Sequence, residues 1–151
     1  MYGFFDKDDF PQQNFDNAIK AINNKNKDCN KLRNNYDMPC DEFGTIWHAC
    51  YSNECFEIWP LLHFEYLNTG INRDAYIDKI NKHILDKTFG VYSKNNKNIH
   101  DLLVLNGGSL ETAIKYSKKL KSLHHAGNPS TGIFEFAERF KLYIEPKKSH
   151  L

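Results

Sequence analysis

GTIWHACYSNECFEIWPLLHFEYL, residues 44–67, holds both tryptophans, two of the four cysteines and a near-continuous run of large apolar side chains. At helical spacing Trp47, Cys50, Tyr51, Cys55, Ile58 and Leu62 fall on one stripe. Ile46, Phe56, Trp59, Leu61 and Phe64 cover much of the remaining circumference. That pattern predicts a helix apolar nearly all round, buried at the centre of a core. Pro60 removes a hydrogen bond and clashes with the preceding turn, so a kink or a fresh helix start is expected there. Gly70, after Asn68 and Thr69, suits the left-handed residue that ends a helix. Nothing in the stretch spells out a reaction.

A chain of 151 residues, 40% hydrophobic and 14% aromatic, fits one domain over residues 1–151 with one core. No window is apolar enough for a membrane span, because Glu54, Glu57 and Glu65 interrupt even the central stretch. The start, MYGFFDKDDF, carries acids where a secretory leader needs bases, which predicts a cytoplasmic chain. Cys29, Cys40, Cys50 and Cys55 are then expected as thiols. The net charge of +1 conceals an asymmetry. Residues 1–70 hold 6 Lys/Arg against 11 Asp/Glu, and residues 71–151 hold 14 against 8. Such a split can steer a charged partner, or it can be the ordinary outcome of charged, solvated helix faces.

Outward from the centre the remaining elements read as helices. Asp9 can cap a helix with Pro11 in its first turn and Phe15, Ala18, Ile19 and Ile22 on one stripe. The polar run after Ile22 predicts fraying and then a loop with a turn at Pro39. Asn72 can cap a helix with Tyr76, Ile77, Ile80 and Ile84 on its buried face. Phe89–Tyr92 is a short strand or an ordered crossing, and periodicity leaves His100–Leu105 open between helix and strand. Ser109 can cap a helix with Leu110, Ala113, Ile114, Ser117 and Leu120 inward. Residues 133–144 fit both templates, and the Ala-Glu-Arg run tips them to helix. The fold class expected is mainly α: a single-domain bundle of five or six helices around the aromatic-rich centre, with room for a minor β element.

Four groups compete for chemistry. Cys40, His48, Cys50 and Cys55 cluster, but their spacing lacks the paired ligands of zinc sites. On a helix, His48 and Cys50 would face opposite ways, so buried core thiols and no metal are expected. The turn Asn106-Gly107-Gly108-Ser109 could hold a phosphate, but a glycine stop and a serine cap explain every residue of it. Lys118, Lys121, His124 and His125 could bind an anion, or could simply close a solvated helix end. Tyr36, Asp37, Asp41, Glu42 and Phe43 put acids beside aromatics near the Pro39 turn, a composition suited to meeting a basic partner or to a solvated loop.

No nucleophile motif is present, and Glu54 with Glu57 is the kind of acid pair that ordinary helix faces carry. No cofactor motif is visible, and without a recognisable module a nucleic-acid partner is disfavoured. The function expected is therefore stoichiometric protein binding with a basic partner. Its concrete form is a bacterial immunity or antitoxin protein covering a basic nuclease toxin. The alternative is a small helical enzyme or RNA-binding protein using the basic C-terminal half.

Overall fold

The computed structural model describes residues 1–36 and 46–144, with side chains for 1–25 and 46–141. The described elements are, in order, β1 (Tyr2–Asp6), α1 (Gln12–Tyr36), β2 (His48–Asn53), α2 (Ile58–Leu61), α3 (Arg73–His83), α4 (Ile99–Leu105), α5 (Leu110–His124), β3 (Ser130–Thr131) and α6 (Phe134–Ile144). The three strands form one mixed sheet in the order β1-β2-β3. β1 runs parallel to β2, pairing Tyr2 with His48 and Asp6 with Ser52. β3 runs antiparallel, pairing Thr131 with Ser52.

β2 is the axis of the molecule, and this overturns the expected pure helical bundle with its helix at 44–67. Side chains alternate across a strand. Ala49 and Tyr51 join Phe15 in a cluster under α1, with Phe5, Ile19 and Ile22 against it. Cys50 turns the other way, into the main core with Cys55, Ile58, Leu61, Leu62, Tyr76 and Leu120. A strand covered on both faces reads as a continuous apolar run, which the helical template also accepts. Pro60 sits inside the four-residue α2, and Gly70 ends no helix.

β1 was masked in the sequence by the acids that follow it. Its four residues before Asp6 are apolar or glycine, and it lies at the sheet edge. Other expectations hold in detail. The Asn72 side chain accepts from Ala75 N–H at 2.8 Å, and Tyr76 and Ile80 are buried on α3. Ser109 accepts from Thr112 N–H at 3.2 Å at the start of α5. Residues 134–144 are helical, as is 99–105. Phe89 lies in a turn and Val91 in a bend, a crossing rather than a strand; the fraying and loop expected after Ile22 are overturned, because α1 continues to Tyr36.

Candidate functional site

Chemistry-bearing side chains collect at the two ends of β2. At its carboxyl end the pairing with β1 continues past the strands, with Lys7 N–H donating to Ser52 O at 2.9 Å and Asp8 N–H to Glu54 O at 2.9 Å. Asp8 has φ +45, a left-handed conformation that Asp tolerates better than most residues. These bonds place Asp6 and Asp8 beside the segment that runs from Asn53 into α2. The Phe56 N–H donates to Asp6 Oδ2 at 3.1 Å.

Glu57, the residue before α2, is 0% exposed. Its carboxylate is paired with Lys94, whose Nζ stands 3.4 Å from Oε1, and the Cys55 thiol is a hydrogen-bond donor beside it. Arg73, the first residue of α3, pairs with Asp8. Burial pushes the Asp6 carboxyl above its ordinary range; the Phe56 N–H pulls back, and the nearby Glu57 charge pushes up again. The Cys55 thiol is pushed up to about 12, by burial first and then by the Glu57 carboxylate beside it. The Tyr92 phenol is raised by burial and by Glu57, and its hydroxyl is buried without a partner. Acids therefore crowd a partly exposed site that Arg73 and Lys94 neutralise only in part. Among the described residues no three His, Cys, Asp or Glu are grouped as a metal-ligand set.

At the amino end of β2, His48 Nδ1 lies 3.1 Å from Glu135 Oε2 at the start of α6. The other oxygen of Glu135 pairs with Lys121 of α5. The Tyr2 ring stacks on His48 with centroids 4.9 Å apart. Tyr51 donates its hydroxyl to His125 O at 2.9 Å, and burial, then Glu135, pushes that phenol up to about 12. A cavity of about 270 Å³ lies among these groups and Ile19, Asn23 and Trp47.

Of the anion-binding candidates, Lys121 and His125 line this cavity. Lys118 pairs with Glu138 and lies over the Phe134 ring, and His124 is half-buried and does not line the cavity. Asp37, Asp41, Glu42 and Phe43 lie outside the described residues, as does the Tyr36 side chain. The helical argument that set His48 and Cys50 on opposite faces fails, because two residues along a strand share a face. Cys50 and Cys55 are buried free thiols.

The sequence reading missed Asp6, Asp8 and Glu57 as a group, and the His48–Glu135 pair. The first carried a signal: an apolar run ending in Asp6, Asp8 and Asp9 is a strand end with acids on it. The second spans 87 positions and had none.

A family model for RloB-like proteins matches residues 1–140. The chain belongs to the RloB-like protein family. No curated protein and no solved structure matches it. No helix among the described residues is long and apolar enough to cross a membrane.

Proposed function

We propose that the carboxyl ends of β1 and β2 bind a divalent cation together with a phosphate-bearing ligand, and that phosphate-ester hydrolysis is the reaction served. Asp6, Asp8 and Glu57, which do not form a ligand set as they stand, would supply the oxygens once drawn together on the ion, and Arg73 and Lys94 are the groups that meet phosphate. The observation that carries this reading is Glu57, fully buried with one lysine at 3.4 Å and a weak thiol donor against its charge. A buried carboxylate has to be compensated by charge and hydrogen bonds, and Lys94 at 3.4 Å with the Cys55 thiol leaves room for a further ligand. Such groups concentrate where a ligand completes them. Hard oxygen donors suit Mg²⁺, Mn²⁺ or Ca²⁺, and the carboxyl ends of parallel strands are the usual place for ligands in α/β sheets. A cation bound there would stabilise charge on a phosphoryl oxygen and acidify a water. Its entry requires Asp8 to release Arg73 and Glu57 to release Lys94, which frees both bases for the phosphate.

The test is calorimetric titration with Mn²⁺ and Mg²⁺ of the wild type, Glu57→Gln and Asp8→Asn, alongside hydrolysis of bis(p-nitrophenyl) phosphate. The expected result is binding and cation-dependent hydrolysis in the wild type and loss of both in each variant. A wild type that stays silent to millimolar cation ends the reading.

A second reading, stoichiometric protein binding, is favoured by the exposed aromatics on β1 and α6. Phe4 and Phe140 are 55% and 52% exposed, and both contact the Phe136 ring. Exposed aromatic groups of this kind are frequent binding anchors. The narrower form, immunity toward a basic nuclease, rests on Asp37, Asp41 and Glu42. Chemical cross-linking in lysate, compared between wild type and a Phe4→Ser, Phe140→Ser double variant, tests it: the same captured proteins from both would count against it.

A further inference from the structure

The amino end of β2 stands apart from the carboxylate site. Five residue steps separate His48 from Asn53, roughly 17 Å along a strand. There β2, α1, α5 and the start of α6 enclose the 270 Å³ cavity. Its lining combines Ile19, Trp47, Ala49 and Ala126 with Lys121, His125 and His48 and a single carboxylate, Glu135, and Lys25 Nζ lies 5.0 Å from the Trp47 ring centroid.

Glu135 is shared between two nitrogens and cannot neutralise a third. A carboxylate at Nδ1 holds the imidazole proton there and fixes the ring. His48 Nε2 is left buried without a partner. His125, at φ +54, closes α5 in a left-handed conformation that places it at the cavity. A concave site lined by several nitrogen-bearing side chains and one shared carboxylate is a setting suited to an anionic ligand.

We propose that this cavity binds a small phosphate monoester with a planar body. Lys121 and His125 hold the phosphate, and the body lies against the Trp47 side. Three nitrogen-bearing side chains from two elements match the three oxygens of a monoester better than the two of a carboxylate. Glu135 competes with the ligand for Lys121, so its removal strengthens binding. A merely structural Glu135 would give the opposite sign.

The test follows histidine ring resonances by NMR during titration with AMP, with inorganic phosphate and adenosine as separate arms. The His48 and His125 signals are expected to move with AMP, less with phosphate and hardly with adenosine, while His83 and His100 stay still. Lys121→Gln is expected to weaken AMP binding about tenfold, the loss of one charge-assisted contact. Glu135→Gln tightens it, and Glu57→Gln leaves it unchanged whatever the fate of the carboxylate site. Circular dichroism shows that each variant is folded. Unmoved His48 and His125 signals, adenosine binding as well as AMP, or Glu135→Gln weakening binding as Lys121→Gln does would each overturn the phosphate assignment. Phosphate alone binding as well as AMP would overturn the planar body.

Discussion

The two ends of β2 handle buried charge in opposite ways. At the amino end Glu135 is answered twice, by His48 and by Lys121, and the orphan is one neutral-capable nitrogen. At the carboxyl end Glu57 is buried with Lys94 at 3.4 Å and the Cys55 thiol against it, while Asp6 is pushed toward protonation nearby. The first arrangement supports the fold while leaving a cavity open. The second gathers acid charge against the fold, the kind of cluster in which functional sites are sought. One strand thus carries a satisfied network and a frustrated one, held in the same sheet.

The largest expected effect separates the two ends by damaging one. Gly132 passes so close to β2 that a Cβ there would stand 2.6 Å from Ala49 O and 3.3 Å from the Tyr51 ring. Gly132 N–H also donates to Tyr51 O at 2.8 Å, so the contact cannot be relieved without breaking a bond. Gly132→Ala is expected to cost about 3 kcal/mol, the upper range for overpacking. It displaces the start of α6 and with it Glu135. Urea unfolding should show the loss. In the fraction still folded at low temperature, the His48 and His125 response to AMP disappears while cation binding persists.

Next comes a gain. Asp6 has a folded-state carboxyl raised above its unfolded value, so the folded state holds the proton more tightly. Stability from that group is present below about pH 4 and is lost as pH rises through the raised folded value. Asp6→Asn keeps an acceptor for the Phe56 N–H and removes the charge. It is expected to raise the thermal midpoint at neutral pH, within the about 0.5–2 kcal/mol typical of single stabilising changes, and to abolish cation binding. A lower midpoint would mean that the carboxylate end is not frustrated.

That end was partly legible in the sequence, and its misreading has a physical origin. Caps and helix stripes are local, so Asn72, Ser109 and the Tyr76–Ile80 face could be found by spacing alone. β2 could not, because Ala49 and Tyr51 are covered by α1 while Cys50 faces the main core, and a run buried on both faces loses its period of two. Once 44–67 is taken as a helix, Glu54 and Glu57 become a surface pair and Asp6–Asp9 a solvated start. The acids were visible, but their meeting depends on the parallel pairing of Asp6 with Ser52. The His48–Glu135 pair depends on the whole chain folding back.

A smaller effect tests whether Arg73 is held in place for Asp8. Asn72 caps α3 immediately before it. Asn72→Ala is expected to cost about 1 kcal/mol, as does Ser109→Ala at α5. The two differ in consequence. Loosening the first turn of α3 frees Asp8 from Arg73 and changes cation affinity; loosening α5 does not. Equal cation affinity in the two variants would break the link between the α3 cap and the carboxylate end.

The subtlest difference is in alkaline titration. Burial pushes Cys50 up to about 11, with Glu135 as the next cause, and Cys55 up to about 12, with Glu57 next. Tyr51 rises to about 12 from burial and then Glu135. In the unfolded chain thiols ionise near about pH 8.5 and phenols near about 10. Each of these groups therefore adds stability below its unfolded value, and that stability is lost as pH rises toward the folded one. Denaturation midpoints should fall steadily above about pH 8.5. The variants then divide the effect by site: Glu135→Gln lowers the ionisation of Cys50 and Tyr51 and leaves Cys55 in place, whereas Glu57→Gln lowers Cys55 and Tyr92 and leaves Cys50 and Tyr51 in place. Thiol alkylation rates against pH, with tyrosinate absorbance for Tyr51, read the three groups separately. If Glu57→Gln shifts Cys50 as much as Cys55, the two ends of β2 share one electrostatic environment, and the contrast between them is wrong.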